Sequence, residues 1–422
     1  MREMKDSGLQ WAGNIPYDWN TTKGKYFMAI LERPIKDDDG VITCFRNGEV
    51  TLRANRREDG FTIATVEAGY QGIEPGDLVI HGMDGFAGAI GISDSRGKGT
   101  PALNVLSCSE NKKYIMYLLR AMAYTEVFMA LSTGIRVRTC DTNWKKLRSL
   151  DYLIPPAEEQ QRIADFLDAK CAEIDALTAD IQAQIDTLEQ YKRSVITETV
   201  TKGLNPDAEM KDSEAQWVGR MPSSWRMLKG KYMFAQRSLR GNSRKLQLLS
   251  PTQKFGVIPQ TLYEELSGMS AVKLNEKTDL SLFKTIHKGD FCISLRSFQG
   301  GFEYSKYEGV VSPAYQVFYP TLEIADDYYK YLFKEQGFID RMNSYTMTLR
   351  DGKNIAFSDF GNTYIPYPPL TEQLEIAIYL DRKCTQIDAL VTEKQQQLAT
   401  LDEYKKSLIF EYVTGKKEVP AP

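Results

Sequence analysis

The chain is written twice. Met4-Lys5-Asp6-Ser7 returns as Met210-Lys211-Asp212-Ser213, and Trp11, Gly13, Pro16 and Trp19 return as Trp217, Gly219, Pro222 and Trp225. Lys23-Gly24-Lys25-Tyr26 recurs as Lys229-Gly230-Lys231-Tyr232, and a long helical pattern that starts at Pro155-Pro156 starts again at Pro368-Pro369. A unit of roughly 210 residues is too long for a solenoid repeat. The duplication therefore implies two similar domains related by a pseudo-two-fold axis, an organisation suited to a target that is itself in two parts.

At 422 residues the chain can hold two or three domains, each with its own core. No apolar run approaches the ~18 residues of a membrane span, and Met1-Arg2-Glu3-Met4-Lys5-Asp6 has no signal-peptide core, so a cytoplasmic location is expected. The six cysteines (Cys44, Cys108, Cys140, Cys171, Cys292, Cys384) form no C-x-x-C pair, and the two histidines are His81 and His287, poor material for a zinc site. Cys171 and Cys384 occupy equivalent helical places and read as small residues at a helix–helix contact.

The net charge of -3 hides an asymmetry. Residues 20–150 hold 18 Lys/Arg against 15 Asp/Glu, and residues 226–366 hold 19 against 14. The helical segments 157–200 (4 against 10) and 370–415 (5 against 8) are acidic. Mildly basic insertions permit nucleic-acid binding, although a protein relying on counterion release alone would be more basic.

The repeated helices align at Glu159-Gln160 with Glu372-Gln373, Ile174-Asp175-Ala176-Leu177 with Ile387-Asp388-Ala389-Leu390, and Tyr191-Lys192 with Tyr404-Lys405. Apolar residues recur at heptad spacing: Ile163, Leu167, Ile174, Leu177, Ile181, Leu188, Tyr191 and Val195, then Ile376, Leu380, Ile387, Leu390, Leu401, Tyr404 and Leu408. Two helices of about 40 residues follow, each too narrow in its seam to be stable alone, so an antiparallel coiled-coil pair is expected. Lys170, Gln184, Lys383 and Gln397 fall at seam-type positions, where polar residues fix register at some loss of stability.

Both insertions share a skeleton. Ile73-x-x-Gly76-Asp77-Leu78-Val79-Ile80 matches Ile286-x-x-Gly289-Asp290-Phe291-Cys292-Ile293, a turn into a strand. Thr100-Pro101-Ala102 matches Ser312-Pro313-Ala314, and an amphipathic helix comes next, from Tyr114 to Leu131 and from Asp327 to Tyr345. The same α+β fold with divergent loops is the layout of recognition domains.

Enzymatic motifs are not carried through. Asn14-Ile15-Pro16-Tyr17 resembles the N-P-P-Y signature of amino-methyltransferases, but the second copy reads Arg220-Met221-Pro222-Ser223, and no glycine-rich strand–turn–helix accompanies it. It reads as a turn. Pro206-Asp207 with Glu209-Met210-Lys211 imitates a PD…ExK nuclease core at far too short a spacing, and Val413-Thr414-Gly415-Lys416 lacks the rest of a phosphate loop. Trp11, Trp19, Trp217 and Trp225 sit in identical settings, which favours packing of domain on helix over base stacking.

Base contacts are expected from residues that differ between copies, since Arg and Lys fork onto guanine and Asn and Gln onto adenine. The first domain offers Arg53, Asn55, Arg56, Arg57, Arg136 and Arg138. The second offers Arg237, Arg240, Arg244, Lys245, Arg296, Gln299, Arg350 and Lys353.

The whole chain resembles the specificity subunit of type I restriction–modification systems. The resemblance rests on W-x-G-x-[IM]-P-x-x-W at Trp11–Trp19 and Trp217–Trp225, and on the PP-x-x-EQ helix start at Pro155–Gln160 and Pro368–Gln373. It also rests on the helix ends Tyr191–Thr201 and Tyr404–Gly415. It implies a first target recognition domain with its arm (1–153), a first spacer helix (154–203), a second domain with the repeated arm (204–366), and a second spacer helix and tail (367–422). It further implies that each domain reads one half of a bipartite, asymmetric site in double-stranded DNA, that the helices set the spacer, and that the chain is not catalytic. The implied partners are two modification (methyltransferase) subunits and restriction (motor and nuclease) subunits. S-adenosylmethionine, ATP and magnesium would belong to those partners, and no metal or cofactor to this chain.

Overall fold

Short apolar runs separated by turns give the two halves the same strand plan in this computed structural model, which describes residues 2–56, 67–130, 142–240, 246–269, 280–294, 301–345 and 355–420. In the first half an arm hairpin pairs Met4–Asp6 with Asn14–Pro16, and Asn20–Lys23 pairs with Asp151–Ile154. A four-stranded antiparallel sheet comes next, in the order Met28–Ile30, Leu103–Cys108, Leu78–His81, Ile90–Ile92. Two ribbons flank it, Ile42–Cys44 with Val50–Leu52 and Gln71–Ile73 with Gly97–Gly99.

The second half repeats every pairing. Met210–Asp212 pairs with Arg220–Pro222, and Arg226–Lys229 with Tyr364–Tyr367. Its sheet runs Phe234–Gln236, Gln316–Pro320, Phe291–Ile293, Phe302–Tyr304. Its ribbons are Leu249–Thr252 with Gly256–Pro259 and Lys284–Ile286 with Gly309–Val311. The fold is α+β and duplicated, as the repeat implies. Asn14–Pro16 is a strand of the arm hairpin rather than a turn.

The long helices span Ala157–Lys202 and Leu370–Val413. The chain divides into two compact units, residues 1–182 with 395–422, and residues 183–394. Each unit thus contains one recognition domain, the first half of the helix that follows it and the last part of the other helix. In the first unit Phe166 meets Tyr412 (ring centroids 4.4 Å apart) and Asp175 meets Lys405 (2.6 Å), an antiparallel pairing. In the second unit Asp388 meets Lys192 at 2.6 Å and Lys383 lies over the Tyr191 ring.

Each Pro-Pro helix start brings a Glu-Gln pair against the domain. Trp19, fully buried, donates its indole N–H to Glu159 at 3.0 Å, and Trp225 donates to Glu372 at 2.8 Å. The neighbouring Gln160 donates to the Pro155 carbonyl and accepts from the Asn111 amide, and Gln373 does the same with Pro368 and Ala325. Each Trp also meets a buried tyrosine edge-on, Tyr114 or Tyr328, at 6.5 Å. These Tyr hydroxyls reach the carbonyls of Val413 and Val200 at the ends of the long helices. Trp19 and Trp225 therefore bolt domain to helix, which is the packing role expected of them. The repeated Lys-Gly-Lys-Tyr has a similar basis: a Cβ at Gly24 would stand 2.8 Å from the Leu147 carbonyl oxygen, and one at Gly230 2.6 Å from that of Phe360.

Two expectations are corrected. Leu177 and Leu390 are not in the helix seam; they are 48% and 47% exposed. The buried stripe runs through Ile163, Leu167, Cys171, Ile174, Ile181 and Ile185, and through Ile376, Leu380, Cys384 and Ile387, with Leu188 and Leu401 half-buried. At ~100° per residue, a position four past Ile174 returns to within about 40° of it, whereas one three past falls about 60° to the other side. From Leu167 the stripe is a heptad in which Leu167, Ile174, Ile181 and Leu188 alternate with Cys171, Thr178 and Ile185, so the second seam position lies one residue past the expected Lys170, Leu177 and Gln184. The expected amphipathic helices are each broken in two, at Lys112–Tyr124 and Val127–Ala130 and at Asp326–Leu332 and Gln336–Ser344. Glu126, with φ 62°, turns the chain in the first, and the Glu335 carboxylate caps the new helix through the Phe338 amide in the second. Among the described residues no helix is long and apolar enough to cross a membrane.

Candidate nucleic-acid interface

In each unit the Gly-Asp turn anchors the sheet. The Asp77 carboxylate accepts from the Glu74 amide at 2.8 Å and pairs with Arg33; Asp290 accepts from the His287 amide at 2.9 Å and pairs with Arg237 at 2.6 and 2.9 Å. Asp290 raises the Arg237 guanidinium above its ordinary pKa, and the Tyr319 ring lies 4.5 Å beneath it. Arg237, nominated as a base contact, is thus a brace of its sheet. Asp77 and Asp290 are legible as a repeated pair; Arg33 is not, because the arginine comes from a different strand position in each copy.

The basic cluster of the first domain turns inward on one ribbon. Arg53 Nε donates to Thr43 at 3.1 Å, and Asn55 donates to Thr51 at 2.9 Å. Arg56 pairs with Glu49 at 2.9 Å, donates to Asn47 at 3.2 Å and lies 4.1 Å over the Phe45 ring. All three hold the ribbon formed by Ile42–Cys44 and Val50–Leu52. Arg240 is exposed, next to a bridge between its own backbone and that of Lys284. Arg57, Arg136, Arg138, Arg244, Lys245, Arg296, Gln299, Arg350 and Lys353 lie outside the described residues.

Composition alone does not pick out the ribbon itself. Its tip, Phe45-Arg46-Asn47-Gly48-Glu49, exposes Arg46 and Asn47. The Arg46 guanidinium reaches Asp84 at 2.8 Å with its side chain 59% exposed. Asp84 belongs to a turn fixed by His81, whose Nδ1 accepts from the amides of Met83 and Asp84 at 3.2 and 3.1 Å; burial lowers the pKa of this imidazole. The same ribbon in the second domain ends in Gln253-Lys254-Phe255, all exposed. Asn47-Gly48 between apolar runs is an available hairpin signal; the second tip carries a lone glycine, Gly256, and no Asn-Gly pair.

The described residues thus form a duplicated α+β frame of antiparallel strand pairs, bolted to a helix pair and ending in ribbons with different polar tips. Comparison with known proteins makes this particular. Residues 229–400 match the type I restriction modification DNA specificity domain. The chain is 23% identical, over 96% of its length and 95% of the relative's, to the protein assigned as the MjaX type I restriction enzyme specificity subunit of Methanocaldococcus jannaschii. It is 25% identical to the MjaVIII specificity subunit of the same organism, over 74% of this chain and 72% of that one. Its fold is that of a chain solved in work on complex assembly and conformational transition of the type I R-M system, with a TM-score of 0.67 and 13% identity over 96% and 99% of the two chains. Residues 229–400 thus carry the type I specificity domain, and over nearly its whole length the chain is similar to type I restriction enzyme specificity subunits.

Proposed function

We propose that each unit reads one half of a bipartite, asymmetric site in double-stranded DNA, while the helices set the unread spacer and dock two methyltransferase subunits. Restriction subunits join the same assembly, and adenine methylation or cleavage is carried out by the partners with S-adenosylmethionine, ATP and magnesium; this chain supplies the address. The observation that carries the reading is the division between what the duplication kept and what it changed. The pairing of every strand, the Trp–Glu bolts and the Gly-Asp turns are the same in both units, whereas the exposed ribbon tips differ. Identical parts suit identical partners, and divergent parts suit two different half-sites.

A second repeated feature supports the docking. Lys170, Leu177, Gln184 and Tyr191 succeed one another at seven-residue intervals, and Lys383, Leu390, Gln397 and Tyr404 repeat them residue for residue. Leu177, Tyr191, Leu390 and Tyr404 are about half exposed, at 47–55%. An exposed leucine and tyrosine on each helix, kept through a duplication, mark a surface for one partner bound twice. Half-sites on one face of a duplex lie about one helical turn, ~34 Å, apart.

The decisive experiment exchanges residues 20–150 for the equivalent domain of another specificity subunit, in complex with the methyltransferase subunits, and maps the methylated sites. One half of the site changes and the other stays. A change in both halves, or in neither, rejects the reading. Labelled methyl donor incubated with the purified chain alone and DNA gives no incorporation; incorporation would make the chain an enzyme in its own right.

A further inference from the structure

We infer that the two ribbon tips, Arg46-Asn47 in the first unit and Gln253-Lys254 in the second, are the base-reading elements, with Arg120 and Arg56 as positioning residues behind the first. This rests on the proposed division of a bipartite site between the units and names the side chains that do the reading.

Each tip is held firmly from below. In the first unit Val50 bridges to Ser93, and in the second Val257 bridges to Ser305; Ser93 and Ser305 each donate a side-chain hydrogen bond of 2.8 Å to a carbonyl two residues on. The base of each ribbon is therefore docked on the sheet in the same way. Gly48, with φ 86°, lies under the buried Arg120, whose Nη2 donates to the Gly48 carbonyl at 2.9 Å and whose Nε donates to that of Ile90 at 2.8 Å. A Cβ at Gly48 would fall 1.8 Å from Nη2, so only glycine fits. In the second unit Gly256, with φ 71°, closes against the Tyr304 carbonyl, 2.8 Å from where a Cβ would stand. Arg56 completes the first tip from the side, through Asn47, Glu49 and Phe45.

What these supports present is chemically apt. A two-stranded ribbon is narrow enough for the DNA major groove, where Arg and Lys take guanine O6 and N7, and amide side chains take adenine or donate to acceptor edges. The Arg46–Asp84 pair is solvated, so it exchanges readily for a base edge. Asn47 Oδ1 already accepts from Arg56 and from the Glu49 amide, which leaves its Nδ2 as the group to donate outward. Lys254 lies 5.3 Å over the Phe255 ring and carries no ion pair among the described residues, so its ammonium is available to an acceptor. The Val–Ser docking of the ribbon base is shared and the tips are not, which is the pattern required if two half-sites differ in sequence.

The test uses the full-length chain assembled with its methyltransferase subunits and a DNA library randomised through both half-sites and the spacer. Bound fragments are sequenced for wild type, Arg46→Ala, Arg46→Lys, Asn47→Ala, Lys254→Ala and Gln253→Ala. Each Arg46 or Asn47 variant relaxes one or two base positions in one half by about 5- to 150-fold and leaves the other half intact. Lys254 and Gln253 variants relax positions in the opposite half. Arg46→Lys keeps the charge and loses the planar fork, so it relaxes preference while retaining affinity for non-cognate DNA. Because the Arg46, Gln253 and Lys254 side chains are exposed, their variants keep the wild-type thermal midpoint, whereas Asn47→Ala also removes the hydrogen bonds from Arg56 and the Glu49 amide and lowers it slightly. Undiminished discrimination in every variant overturns the inference. A uniform loss across all sequences, with the salt slope falling by about one, also overturns it, since that is the behaviour of a phosphate contact. Failure of the underlying bipartite reading shows instead in the wild type, as one contiguous selected motif.

Discussion

Lys192 Nζ stands 2.6 Å from Asp388 Oδ1, and the equivalent residues meet with roles exchanged, Lys405 Nζ 2.6 Å from Asp175 Oδ1. Both lysines occupy half-buried places on the stripe along which the helices pack, and both aspartates lie at its edge. A lysine set into an otherwise apolar stripe is satisfied in one register only, so these pairs fix how far one helix is slid along the other in each unit.

The pairs stabilise weakly and specify strongly. Lys192→Ala lowers stability by about 0.5 kcal/mol, within the range of exposed ion pairs. The charge-reversed double variant Lys192→Asp with Asp388→Lys recovers most of what either single reversal loses. Denaturant midpoints of the four proteins form the cycle; a coupling of zero would mean the pair contributes nothing to register.

The Trp–Glu bolts are worth more. Glu372→Ala leaves the indole N–H of the fully buried Trp225 without its partner, which costs about 1–3 kcal/mol. Glu159→Ala does the same to Trp19, where Arg2 also loses one of its carboxylate partners and keeps Asp18. Neither variant touches a ribbon tip, so DNA selection at saturating protein remains that of the wild type while the melting transition moves down. A changed base preference would show that the bolt takes part in reading.

How much of the fold and of the interface is legible in the sequence depends on the range of the interaction that decides each part. The duplication, the sheet class and the long helices come from local patterns, and the structure keeps them. The heptad is legible, but Leu177 is misplaced by one residue: the apolar leucine three past Ile174 draws the eye, whereas the seam takes the position four past it, Thr178, in line with Cys171 and Ile185. Composition nominates Arg237, yet its partner Asp290 is 53 residues away. Arg53, Asn55 and Arg56 stand out as a cluster, but only the folded ribbon shows that they face back onto Thr43, Thr51 and Glu49. Local composition finds where polar groups are dense; which of them are already taken is decided by chain segments far away in sequence.

A buried carboxylate makes the second unit sensitive to pH. Glu303 is 1% exposed on strand Phe302–Tyr304 and pairs with Lys334 at 2.6 Å. Burial pushes its pKa up to about 7, against a partial pull downward from Lys334. The folded state therefore binds this proton more tightly than the unfolded chain, whose glutamate titrates near its ordinary value. Stability is highest below that ordinary value, falls as pH rises between about 4.5 and 7, and is level above. Glu303→Gln removes the dependence and flattens that window by on the order of 3 kcal/mol. Thermal midpoints at pH 5, 6, 7 and 8 provide the comparison; parallel curves for variant and wild type would place the proton elsewhere.

The exposed heptad positions distinguish a docking surface from ordinary solvent-facing helix. If Leu177 and Leu390 only faced water, replacing both by aspartate would be neutral or mildly favourable to the isolated chain, since surface substitutions away from structural features stay within about 0.5 kcal/mol. The same expectation holds if they dock a partner, so stability alone cannot separate the two. Assembly can. Leu177→Asp is expected to reduce the complex from two methyltransferase subunits to one, because Leu390 remains on the other helix. The double variant is expected to bind none. Stoichiometry is read by native mass spectrometry or light scattering on co-expressed proteins, with melting of the free chain as the control for folding. Two subunits retained by the double variant would remove this surface from the docking interface, and the partners would then have to be held by other parts of the repeated frame.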